Sequence, residues 1–349
     1  MAPDDLDDRG LDARATLLRL LADHGRGAAM YGSGFSMHLP MVLIALHRMG
    51  ASSARLETIA AAATRAPPAR AAASQAIDAG CWDRRLGEPR AYMPFRAFFT
   101  DALARSDVDA VLARFLPRLQ DGLAAAGFHA IIRLSYGLDL GSRDEIAAGL
   151  AYLASAFDPL GDDDRRGPAS SRSMRDAFAA AHAQDVVATE VRGPIIGAIR
   201  GGMRAPAYAA GVAVDEGQLS LRLLADAALQ AYLAKPSIYT VHLVTATHAL
   251  TVIDDHYAID RPALRTFWQC ILAMHVAVGA AALPKVTLRA AGSDDWSTLF
   301  AAAVEQSDDH AIKLTYSCSA LARAFDDDRF RDAAARMLQR AQAATVAAH

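Results

Sequence analysis

Apolar residues in this chain return every three or four positions, segment after segment, and that spacing admits little besides helix. In SRDEIAAGLAYLASAF, Ser142 and Glu145 stand at capping-box spacing, and Ile146, Leu150, Leu153 and Phe157 follow as one stripe. Alanine and leucine dominate and β-branched runs are few, so propensity agrees with pattern. The expectation is an all-α protein: one large multi-helix bundle spanning residues 1–349, with a polar tail at 1–13 and a surface loop at 159–173. Charge, Gly, Pro and Ser cluster in that loop, DPLGDDDRRGPASSRSMRDA. In ALARSDVDAVLARFLPRLQDGLAAAGF a helix pair is expected, with Pro117 opening the second helix and Gly127 ending it. The glycine-rich RGPIIGAIRGGMRAPAYAAG is too apolar for a linker and reads as packed turns or a lid.

Apolar residues make up 53% and charged residues 21% of the 349, enough for a substantial core and unlike a disordered chain. A formal charge of -3 provides no general attraction for phosphate backbones, which argues against nucleic acid as a partner. The beginning, MAPDDLDDRGLDAR, is acidic where a secretion signal would be basic, and the apolar stretches break before the roughly 18 to 20 residues a bilayer span needs. A soluble, cytoplasmic protein without a membrane partner is expected. Cys81, Cys270 and Cys318 are too scattered for a thiolate cage or disulfide scaffold and read as buried free thiols.

Four segments start an apolar helix with histidine: MHLPMVLIAL at His38, FHAIIRLSYGL at His129, VHLVTATHAL at His242 and DHAIKLTYSC at His310. A helix turns about 100° per residue, so His129 shares a face with Ile132, Arg133 and Tyr136, and His310 with Lys313, Leu314 and Ser317. In SDDHAIK, Ser307 is the expected cap, with Asp308 and Asp309 favouring the positive end of the helix dipole. Each histidine alone is an ordinary core or cap residue; together, facing inward in a bundle, they are candidates for a metal site between facing helices. His47 lies about 180° round from His38 and His248 about 120° from His242, so neither pair can readily aim at one point. His38, at a helix entrance, and His242 are preferred, and His248 is kept as a candidate for supporting a ligand from behind or for contacting substrate. The remaining histidines fit surface or structural roles.

Lys313, one turn from His310 on an inward face, must snorkel, pair with an anion, or lose its charge to desolvation. A neutral amine takes up CO2 as a carbamate, which would make it an anionic oxygen ligand; an ordinary salt bridge is the other reading. Arg133 stays protonated, and is either an anion contact or the structural partner of an acid.

SGFSMHLPMVLIALHRMGASSARL, GFHAIIRLSYGL, TVHLVTATHAL and SDDHAIKLTYSCSAL resemble, in order and spacing, segments of the questin oxidase-like family, over roughly Tyr31 to Phe325. The resemblance implies an all-helical oxygenase of aromatic polyketide metabolism, performing Baeyer–Villiger-type oxygen insertion or ring opening of anthraquinones. Among relatives is a ring-opening dioxygenase with a mononuclear non-haem iron held by four histidines and a carboxylated lysine. Carried over by motif, the ligands are His38, His129, His242, His310 and carboxylated Lys313, with the choice between His242 and His248 open. A flavin and NADPH are not supported: YGSGFSMH has Gly32 and Gly34 but Met37 at the third glycine position, and no strand pattern precedes it.

The reading is an iron(II) oxygenase acting with O2 on a phenolic or quinone-like aromatic substrate, with Tyr136, Arg133 and His248 as candidate catalytic residues. Zinc on the same ligands would instead suit a hydrolase. A non-catalytic helical binding protein is the third reading.

Overall fold

The computed structural model describes residues 8–24, 27–31, 34–63, 76–160, 171–184, 193–279, 281–283 and 295–347. In chain order the described elements are α1 (Asp8–His24), β1 (Met30–Tyr31), β2 (Phe35–Ser36), α2 (Leu39–Arg48), α3 (Ser53–Ala62), α4 (Tyr92–Arg105), α5 (Val108–Leu119), α6 (His129–Leu140), α7 (Arg143–Ser155), α8 (Met174–His182), α9 (Ile195–Met203), α10 (Pro206–Gly211), α11 (Leu221–Ala234), α12 (Ile238–Asp254), α13 (Arg261–Ala277), α14 (Trp296–Val304), α15 (Asp309–Phe325) and α16 (Arg329–Ala347). Short 3-10 turns fill several connections. The protein is all-α, as its periodicity predicts; β1 and β2 form a two-residue antiparallel hairpin, the only sheet among the described residues. None of the described helices is long and apolar enough to cross a membrane.

The chain divides into two compact units, one built from both ends (Met1–Ala71 with Thr287–His349) and one from the middle (Ala72–Val286). In the first, α2 packs on α1 and α15, and α15 also packs on α14 and α16. Leu39 to Leu46 of α2 are all buried, as an apolar face all round a helix requires. Arg55 of α3 donates to the carbonyls of Val304 (2.6 Å) and Gln306 (2.7 Å), satisfying acceptors left open where α14 ends.

In the second unit, α6 and α7 pack closely, α6 also meets α12, and α13 meets α9 and α11. Small residues set the α6–α7 spacing. A Cβ on Gly149 would lie 2.4 Å from the Leu134 Cα, and one on Gly137 2.7 Å from the Glu145 carbonyl carbon. Gly141 turns the chain between them in the left-handed conformation (φ 70°).

Several local expectations change. The segment read as a tail at 1–13 enters α1 at Asp8, because helix-compatible residues run straight into the apolar stripe. Most of the expected loop at 159–173 lies outside the described residues; its last residue, Ser173, caps α8 through Asp176 N (3.2 Å). Pro117 lies inside α5 rather than opening a helix, and without an N–H it leaves the carbonyl one turn earlier short of its ladder bond. The glycine-rich stretch forms α9 and α10, and Gly202 is there for contact: a Cβ would fall 1.9 Å from the Ala273 carbonyl oxygen of α13. Ser142 caps α7 by accepting from Glu145 N (3.4 Å), while the Glu145 carboxylate turns to Arg133. Asp308, not Ser307, caps α15, its carboxylate accepting from His310 N (2.7 Å) and Ala311 N (3.2 Å). Of the thiols, Cys270 and Cys318 are buried, with pKa values pushed up by burial, while Cys81 is half-buried.

Candidate metal centre

All four singled-out histidines stand near the head of a helix. His38 is the N-cap residue of α2, His129 the first residue of α6, His310 the second of α15 and His242 the fifth of α12. Each unit holds one pair.

In the second unit, His129 and His242 are buried and their Nε2 atoms lie 3.1 Å apart. His129 Nδ1 donates to the Ala126 carbonyl (2.7 Å) and His242 Nδ1 to the Ile238 carbonyl (2.6 Å). A carbonyl only accepts, so both hydrogens sit on Nδ1 and both Nε2 atoms carry a lone pair. Two such lone pairs at 3.1 Å repel unless a cation lies between them. A divalent ion satisfies that demand, since nitrogens each about 2.1 Å from one ion stand near this separation. The donor set therefore fits a metal.

The backbone is strained to make this arrangement. Ala126 (φ 51°), Gly127 (φ 65°) and Phe128 (φ 70°) are consecutive left-handed residues directly before His129. For Ala126 and Phe128 that conformation costs about 1 to 2 kcal/mol each, and it delivers the Ala126 carbonyl to the imidazole.

The same helix pair carries a second tier. Tyr136 and His248 are buried with ring centroids 6.1 Å apart. They follow His129 and His242 by seven and six residues, so α6 and α12 run in the same direction, and this tier lies roughly 10 Å further along them. It is His242, not His248, that meets His129. Arg133 faces Glu145 through Nε (3.1 Å) and Nη2 (3.3 Å), and its Nη1 donates to the Tyr92 hydroxyl (3.2 Å). Of the two readings of Arg133, the geometry is that of a structural partner joining α6, α7 and α4. Burial opposes its charge, and Glu145 outweighs burial, holding the guanidinium protonated.

In the first unit, the His38 and His310 rings stand edge to face with centroids 5.0 Å apart. His38 Nδ1 lies 3.3 Å from Asp309 Oδ2, and His310 Nδ1 lies 3.7 Å from Asp308 Oδ1. Burial, then the charge of Lys313, lowers the His38 pKa against the pull of Asp309. Burial raises the Asp309 carboxyl, but its bond to His38 and the charges of His38 and Lys313 bring it below the usual value. Both shifts favour a neutral imidazole beside an ionised carboxylate. Sequence reasoning assigned Asp309 only a dipole role; the carboxylate one residue before His310 was the available signal.

Lys313 is buried in α15, and its pKa is pushed down to about 8 by burial, against the opposing charges of Asp309 and Asp308. Among the described residues no acid forms an ion pair with it; Asp309, one turn earlier, faces His38 instead. A buried amine without a close ion pair thus stands on the helix that carries His310, near enough for its charge to act on His38.

No curated protein matches the chain. The profile described as Questin oxidase-like matches residues 35–318, an interval that contains all four histidines and Lys313. The family name denotes oxidoreductase chemistry, and a match over most of the sequence settles membership: this chain belongs to the questin oxidase-like family.

Proposed function

We propose that the protein is a non-haem iron-dependent oxygenase that uses O2 to insert oxygen into, or cleave, a phenolic or quinone-like aromatic ring. Its ion is held by His38, His129, His242, His310 and carboxylated Lys313. The observation that carries the reading is the His129–His242 pair, whose Nε2 lone pairs face each other at 3.1 Å and call for a cation. Iron(II), when bound, supplies the one-electron chemistry through which O2 reacts with an electron-rich ring.

The chain's own part begins with the two carbonyls that fix the tautomers of His129 and His242. With its pKa pushed down to about 8, Lys313 is roughly one-tenth neutral at pH 7, against less than a thousandth for an ordinary lysine. Its amine nitrogen attacks the carbon of CO2, a proton leaves to solvent, and an anionic carbamate remains. That converts an unpaired cation into an oxygen ligand and removes the cost of burying the ammonium. Arg133, engaged by Glu145, braces α6, and Tyr136 with His248 supports the helix pair one tier along.

Metal analysis of protein purified without added metal tests the reading. About one iron per chain is expected, lost in His129→Ala and in His242→Ala while helicity by circular dichroism is retained. Stoichiometric zinc without iron would replace the oxygenase by a hydrolase. No bound metal, with the variants indistinguishable from the parent, would leave the histidines as core groups of a helical binding protein.

A further inference from the structure

Each of the four imidazoles turns Nδ1 toward an oxygen. For His129 and His242 that oxygen is a main-chain carbonyl, supplied by the helix head itself and untouched by side-chain substitution. His310 faces Asp308 at 3.7 Å, too far for a hydrogen bond, and Asp308 is already committed to capping α15 through two backbone N–H groups. His38 differs. It is the cap residue of α2, has no preceding helical turn to offer a carbonyl, and meets Asp309 Oδ2 at 3.3 Å.

From this we infer that Asp309 is a positioning residue: it holds His38 as the Nδ1–H tautomer, so that Nε2 is the nitrogen offered to a metal ion. The metal half of the inference rests on the function proposed above; the tautomer half does not. A carboxylate on the far nitrogen of a ligating histidine fixes the ring's orientation and raises its basicity. Asp309 is the first residue of α15, directly before His310 and one turn before Lys313, so one helix head orients His38 while carrying two further donors. The same carboxylate, one turn before Lys313, faces the imidazole at 3.3 Å and forms no ion pair with the amine.

The test uses the metal-free full chain with 15N-labelled histidine. Two-bond proton–nitrogen correlation spectra, assigned through His38→Gln, report which nitrogen of His38 bears the hydrogen. Nδ1–H is expected in the parent. Asp309→Ala should shift His38 toward the Nε2–H tautomer, and Asp309→Asn, whose amide oxygen still accepts, should keep Nδ1–H. Asp309 is partly exposed at a helix end, so neither change opens a hole in the core. Titration with iron(II) should then show affinity reduced about 10- to 100-fold in Asp309→Ala, with most of the loss recovered in Asp309→Asn.

An unchanged tautomer in Asp309→Ala overturns the inference. So does loss of iron from Asp309→Ala and Asp309→Asn as complete as from His38→Gln, which would make the carboxylate a ligand. Failure of the parent to bind any divalent ion would sink the proposed function and the metal half, whereas the metal-free spectra decide the tautomer half regardless.

Discussion

The Arg133–Glu145 pair shows what a single position can hide. Arginine one turn into an apolar helix reads equally well as an anion contact or a brace, and only its partner decides. That partner lies 12 positions on, at the residue that sequence spacing assigns to a helix cap. Because both groups are buried, removing one strands the other charge. Glu145→Ala should therefore destabilise the protein by about 3 to 5 kcal/mol in denaturant titrations, and Arg133→Met with Glu145→Leu should recover much of the loss. The histidines were more legible, because ring placement follows from the 3.6-residue repeat. Their tautomers were not: the atoms that set them include the carbonyls of Ala126 and Ile238, and a backbone oxygen has no letter of its own.

Helix type and order could be read from apolar spacing, since each stripe must find another to cover it. Helix ends were less legible. Ser307 and Asp308 both have capping side chains, and the choice between them depends on where the chain arrives from α14. The left-handed run at 126–128 was invisible for a different reason: alanine and phenylalanine rarely adopt it, so only Gly127 signalled a turn. Close packing was equally silent. Gly149 allows the backbone of α7 to touch that of α6, and Gly149→Ala should cost about 1 to 3 kcal/mol by forcing them apart. Crystallography of the variant should show α7 displaced at Leu134.

Protonation of a core histidine belongs to the molecule as a whole, since only global unfolding hydrates it. His275 of α13 is buried against the Phe178 ring, and among the described residues neither of its ring nitrogens has a hydrogen-bond partner. Burial, and then the charge of His182, push its pKa down to about 4. Below about pH 6.5 the unfolded chain takes up a proton that the folded chain refuses. Stability should thus fall as pH drops from 6.5 toward 4, by about 3 kcal/mol at most from this group, and His275→Leu should flatten that part of the urea-unfolding profile. The division of the chain was also not legible, because helices of one style run through both units and a change of unit leaves no mark on composition. That division has a consequence for synthesis. The unit made from both ends places His38 beside His310, and roughly 270 residues must be polymerised between them. At about 5 to 20 residues per second, the first imidazole waits tens of seconds on the ribosome for its companion. Until α15 emerges, a nascent chain has only half of that pair, so the ring-to-ring contact cannot form while the intervening residues are being made.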